Sequence, residues 1–185
     1  MEDYRVNINY AKALFLIATD KQQQDEVLAD MRLVHQVCAE NRELNVAFNN
    51  PVIKESKKVA VLNDLFEDKV SQVSQLFLSF VVKKRRTVNL RGISSAYMDL
   101  YRDAHNIVRS ELVTAIEVEP EAKELVKKVI GDYTRKQVEL EARTDDKMLG
   151  GFCMSFDNNM YDARLRTKVS KLRKEFRKNI YESKL

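Results

Sequence analysis

The sequence has no tryptophan, two prolines, four glycines and two cysteines in 185 residues, and each shortage closes off a class. Two cysteines, Cys38 and Cys153, are too few and too far apart for a disulfide framework or a cysteine-ligated zinc site. They are read as buried or idle thiols of a reducing compartment. The two histidines, His35 and His105, each stand without a carboxylate or thiol at ligand spacing. No Gly-rich phosphate loop, nucleophile elbow or catalytic triad occurs, and the pair Gly150-Gly151 follows a hairpin-type loop. The acidic stretch at 144–146 has no EF-hand spacing and reads as a solvated turn. No enzyme activity and no cofactor or metal are therefore expected. No apolar run approaches the roughly 18 residues of a membrane span. The first residues show neither a signal-peptide nor a transit pattern, since Glu2 and Asp3 precede any basic residue. A soluble protein follows as the expectation.

Helix-favouring residues dominate what remains. From Tyr4 to Tyr101 the apolar spacing predicts six consecutive helices with short breaks, an all-α bundle. Thr19 or Asp20 is a candidate cap for the second helix, and Ser56 for the fourth. Asn41 is expected to end the second helix. Pro51 is expected to end the third, and the fifth to start near Ser71. After Ala104–Asn106 the texture changes. Val108, Leu112, Ile116 and Val118 fall on alternate positions and predict a strand ended by Pro120. A helix follows, with Leu125, Val126, Val129, Ile130 and Tyr133 on one side. Val138, Leu140 and Ala142 alternate with Glu139 and Glu141 in a second strand, and 152–156 reads as a third. Residues 157–159 turn the chain, and Asp162 is the expected N-cap of a last helix. The fold class is thus α plus α+β: a six-helix bundle over 1–105, then a small β-α-β-β-α domain over 106–185.

Two helices carry more apolar surface than one buried face needs. In the first, eight of the nine residues from Tyr10 to Ala18 are apolar. In the fifth, six of the seven from Leu76 to Val82 are. Either both are central helices enclosed by the others, or their spare faces adjoin in a groove that an amphipathic partner helix fills. The last helix is the other candidate surface. Residues 164–185 hold nine basic and two acidic side chains, whereas 1–105 hold 15 and 14, so the basicity is local. Leu165, Val169, Leu172 and Phe176 form a narrow seam along it. Three readings stay open for this helix: a solvated helix docked on the small sheet, a surface for an acidic or amphipathic partner helix, and a nucleic-acid or membrane surface. The aromatic and glycine signature of RNA-binding sheets is missing.

Several stretches, in order, carry a resemblance: NYAKALF (9–15), NNPVIKESKKVAVLNDLF (49–66), VVKKRRTVNLRGI (81–93), VRSELVTAIEV (108–118) and DDKMLGGFCMSFDNNMYDARL (145–165). The whole chain resembles the delta subunit of rotary ATP synthases, the oligomycin-sensitivity-conferring protein family. The resemblance implies a non-catalytic stator subunit, one copy per complex and a monomer when free. It implies a place on the cytoplasmic face of a bacterial plasma (inner) membrane with no insertion into it. It also implies that the first domain binds the N-terminal helices of the alpha subunits in a groove of the first and fifth helices, and that the second binds the C-terminal region of the stalk b subunit. Tyr10, Ala13 and Leu14 carry over as groove residues, with Leu76, Ser79 and Phe80 opposite them. Arg164, Lys168, Lys171 and Leu172 are the stalk-facing candidates. Gly150, Gly151 and Asp162 match the family pattern. The chain departs from it at Ala163-Arg164, where Gly-Ser is usual, and at Lys84-Arg85, where glycine usually precedes the arginine. The alternative function is a nucleic-acid-binding module using the basic terminal helix, whose affinity would fall steeply with salt.

Overall fold

The computed structural model describes residues 2–50, 52–66, 69–157 and 159–177. Pro51 and Lys178 lie outside the described residues. The chain divides into two compact units, Met1–His105 and Asn106–Leu185.

The first unit is helical: α1 (Glu2–Asp20), α2 (Gln24–Glu40), α3 (Arg42–Asn49), α4 (Glu55–Phe66), α5 (Gln72–Lys83), a 3-10 turn (Thr87–Asn89) and α6 (Leu90–Ala104). One core collects side chains from all six α-helices, among them Leu14, Val27, Met31, Phe48, Phe66, Val81, Ile93 and Tyr97. Thr19 and Asp20 belong to α1 and do not cap α2. The Thr19 hydroxyl donates instead to the Phe15 carbonyl, 2.7 Å away. Ser56 likewise sits inside α4. Ser71 does cap α5: its hydroxyl oxygen accepts from the Ser74 N–H. Asp30, buried on α2, accepts from both the N–H and the hydroxyl of Ser71, at 3.0 and 2.6 Å. A buried acid thereby holds the entry of α5 in place. At the other end of α5 the left-handed residue is Arg85, at φ 58°, following Lys84 in an ordinary conformation.

The second unit is β1 (Ile107–Thr114), α7 (Pro120–Thr134), β2 (Gln137–Thr144), β3 (Phe152–Phe156), β4 (Asn159–Asp162) and α8 (Leu165–Arg177). The sheet order is β2-β1-β3-β4, with β1 and β2 parallel and the other pairs antiparallel. The order is therefore β-α-β-β-β-α, one strand more than expected. The extra strand is four exposed or half-buried residues without alternation, recognisable only by its pairing with β3. Asp162 ends that strand, three residues before α8. β1 stops at Thr114, whose hydroxyl donates to the Ile116 carbonyl at 2.7 Å and bends the chain away. Ile116 and Val118 lie beyond the strand, and Pro120 opens α7 at a position where its missing N–H costs nothing.

β1 alternates cleanly. Val108, Ser110, Leu112 and Thr114 are buried under one face. The Ser110 hydroxyl has no hydrogen-bond partner among the described residues. Ser110→Ala removes that unsatisfied group and is expected to raise the unfolding free energy by up to about 1 kcal/mol, read from chemical denaturation. Gly151 has φ 84°, and a Cβ there would lie 2.4 Å from the Ala163 carbonyl oxygen. Gly151→Ala is expected to cost at least about 1 kcal/mol in the same assay, through both the dihedral and the backbone clash.

Candidate partner-binding surfaces

α1 sorts its apolar residues onto two faces. Ala11, Leu14 and Ala18 point into the core, and Leu14 is 0% exposed. Leu14 is thus a core residue, not a groove residue: it sits four positions from Tyr10 and one from Ala13, on the inner side of the turn. Tyr10 is half-buried, Ala13 exposed, and Ile17 exposed beyond them. These three fall at intervals of three and four and form a second stripe. α5 divides in the same way. Val73, Ser74, Phe77, Leu78, Val81 and Val82 are buried, whereas Leu76 is 63% and Phe80 46% exposed, with Ser79 half-buried. The two spare stripes meet at an aromatic contact. The Tyr10 and Phe80 rings lie 6.1 Å apart, tilted by 43°, inside the range of favourable aromatic pairs. The Lys84 ammonium stands 5.6 Å from the centre of the Phe80 ring.

The structure therefore brings Tyr10 and Phe80 together, exposes Ala13 and Leu76 on the same two helices, and withdraws Leu14. Ile17 was missed by the sequence reading. Its spacing of seven from Tyr10 is the signal that finds it. Leu16 is also exposed, on the outward side of α1.

The groups that carry chemistry elsewhere are quiet here. Burial pushes the Cys38 thiol above its ordinary range, which disfavours the reactive thiolate. His35 Nδ1 faces the Arg91 carbonyl at 3.3 Å, and His105 stacks on Tyr101 at 4.0 Å. Among the described residues no group of three or more metal-ligating side chains forms, and no helix is long and apolar enough to cross a membrane.

In the second unit, α8 buries none of its residues. Lys168, Lys171 and Leu172 are exposed. Docking of this helix on the sheet, one of the three readings, is not the arrangement seen. Arg164 is occupied: its Nε and Nη2 donate to the Asp162 carboxylate at 2.9 and 2.6 Å. The Arg164 backbone N–H and the Thr167 hydroxyl donate to it as well, both at 3.0 Å. Asp162 thus caps the approach to α8 from two residues further back than expected. The Arg164 guanidinium first, then these other donors, hold the Asp162 carboxyl well below the usual carboxylate range. A carboxyl depressed by folding stabilises the fold above its unfolded pKa and loses that contribution as the pH falls through the folded value. Protection of the Arg164 amide, the slowing of its exchange relative to an unstructured chain at the same pH, is accordingly expected to fall progressively below about pH 4. In Asp162→Asn the amide is expected to exchange faster at neutral pH and to lose that pH dependence, both read by hydrogen exchange.

α7 departs from expectation in the opposite sense to Leu14. Of its five-residue apolar side only Ile130 is buried, and Leu125, Val129 and Tyr133 are exposed.

A family model described as ATP synthase delta (OSCP) subunit matches residues 6–176 of the chain. A protein named ATP synthase subunit delta from Cytophaga hutchinsonii is 31% identical over 180 residues, 97% of this chain and 98% of that relative. Its namesake from Lactobacillus johnsonii is 30% identical over 171 residues, 92% and 93% of the two chains. Among solved structures, a chain of the Toxoplasma gondii mitochondrial ATP synthase hexamer matches with a TM-score of 0.68 at 18% identity, covering 92% of this chain and 96% of that one. That last likeness is one of fold.

Proposed function

The chain belongs to the ATP synthase delta (OSCP) subunit family and is a non-catalytic stator component of that complex; we propose that its first unit is the attachment point for the catalytic head and its second unit that for the peripheral stalk. The six helices of the first unit act as one bundle whose α1 and α5 leave a groove for an amphipathic helix from the N-terminus of an alpha subunit. Tyr10, Ala13 and Ile17 line one side of it, and Leu76, Ser79 and Phe80 the other. The observation that carries this reading is the Tyr10–Phe80 contact, flanked by exposed apolar residues on both helices.

The mechanism is mechanical. Rotation of the central shaft loads the stationary head, and the stator resists without dissociating. A helix laid in a groove suits that task because it spreads the load over many side chains. Each Leu- or Phe-sized residue it buries contributes about 1.5–3 kcal/mol. Arg164, just before α8, and Lys168, Lys171 and Leu172 on it are the proposed contacts for the C-terminal region of the b subunit. Of these, Arg164 acts mainly as a brace through Asp162. Attachment at two points makes the second contact effectively intramolecular once the first has formed. One copy per complex, a free monomer, and a place on the cytoplasmic face of a bacterial plasma membrane complete the reading.

Calorimetric titration of the isolated protein with a peptide copying the N-terminus of the cognate alpha subunit tests it. Saturable one-to-one binding that survives high salt is expected, because the contact is apolar. Absence of binding removes the groove reading.

A further inference from the structure

The second unit carries two apolar surfaces that no described residue covers, and they match each other. The first is a cleft of about 570 Å³ beside α7, walled by Leu125, Val129 and Tyr133 and floored by Phe152, Met154 and Tyr161. Its origin is arithmetic. Strands lie roughly 4.8 Å apart and a helix is about 10 Å across, so one helix covers about two strands. The sheet has four strands. α7 packs over β2 beside β1, and the same face of β3 and β4 is left open. Cross-strand partners share a face, and Met154 pairs with both Leu112 and Tyr161. The cleft floor is therefore continuous with the buried face of β1. Tyr133 remains 74% exposed at the rim.

The second surface is the stripe Leu165, Val169, Leu172 and Phe176 on α8. All four are exposed, Phe176 at 86%. Their four-three-four spacing is that of a helix with one buried seam. A 13-residue helix is about 20 Å long, enough to lie along the cleft.

Topology joins the two. β1 and β4 run in the same direction, because each is antiparallel to β3. α7 leaves the sheet at the end where β1 finishes. α8 leaves at that same end, after only Ala163 and Arg164. Folded back over β3 and β4, α8 runs beside α7 in the same direction. Leu165 then comes to the Leu125 end of the cleft and Phe176 to the Tyr133 end. The root of α8 is held by a small set of hydrogen bonds rather than by packing. Gly150 and Gly151 hold φ values of 147° and 84°, and the Leu165 N–H donates to the Gly150 carbonyl at 3.0 Å. The Asp162 carboxylate, gripping Arg164 and Thr167, latches the helix in its present direction.

We propose that α8 is a hinged lid: in the isolated chain it swings back to roof the cleft beside α7, and the arrangement described here is the open one. Closure completes the second layer of the unit and hides its apolar surface until assembly. The inference is independent of the groove reading, since it concerns the chain without any partner.

Leu172→Asp and Phe176→Asp test it in the full-length chain. In the open arrangement both positions are exposed, so charge there changes nothing. With a closing lid, binding of an apolar-surface dye is expected to rise several-fold, and amides of α7 and β3 to exchange faster. A second measurement uses Val129→Cys with Val169→Cys in a Cys153→Ser background, oxidised in dilute solution. An intramolecular crosslink is expected. Unchanged dye binding and exchange in both aspartate variants, with no intramolecular crosslink, overturns the proposal. So does a crosslink that forms only between chains with dimers in sedimentation, which would make a second copy the occupant.

Discussion

Ala13→Asp is expected to weaken binding of the alpha-subunit peptide by at least about tenfold while leaving the fold intact. The side chain at 13 is exposed on α1 between Tyr10 and Ile17, so the free protein tolerates a charge there. A bound helix would cover it. The carboxylate would then lose water without gaining a partner, and a tenfold loss needs only about 1.4 kcal/mol of that penalty. Calorimetric titration reads the affinity, and thermal unfolding followed by circular dichroism reads the fold. A variant that melts much earlier would mean that position 13 is core. A variant that binds as tightly as the parent would mean that the peptide lies elsewhere.

Leu14→Ala is the complementary change and has a different outcome. Leu14 is fully buried in the core of the first unit. Its truncation is expected to lower the unfolding free energy by about 2–5 kcal/mol, the transfer loss plus the cavity left behind. Leu16→Ala, two positions on and facing outward, is expected to change it by less than about 0.5 kcal/mol. Urea denaturation of the two variants side by side checks both figures. The pair separates the inner face of α1 from its outer face by energy, independently of any partner.

Those neighbours also show where the sequence was informative. A run such as YAKALFLIA declares that a helix has apolar residues to spare. It does not say which of them face the core, because with apolar groups nearly all round there is no polar face to set the phase. Tyr10, Ala13 and Leu14 looked equivalent, and only packing against the rest of the bundle separated Leu14 from the other two. The boundary near 105 was legible because the periodicity itself changes there from helical to alternating. β4 was not legible. Four residues with no alternation become a strand only because β3 offers an edge to pair with. The apolar side of α7 was read correctly as a stripe, but a stripe cannot show that the sheet beneath it extends two strands further than one helix can cover. Asp162 was recognised as belonging at the start of α8, and its carboxylate does organise that start. It does so from the end of a strand, a geometry that residue spacing alone does not distinguish from an ordinary N-cap.

The most direct test is to locate the bound peptide on the protein. A photo-crosslinker on a cysteine placed at Ile17, one on a cysteine placed at Leu76 and one on a cysteine placed at Leu172 report three surfaces in one experiment. With the alpha-subunit peptide present, efficient crosslinking from positions 17 and 76, and none from 172, is the expected result. Crosslinking from 172 alone, or from none of the three while calorimetry still records binding, would contradict a groove between α1 and α5.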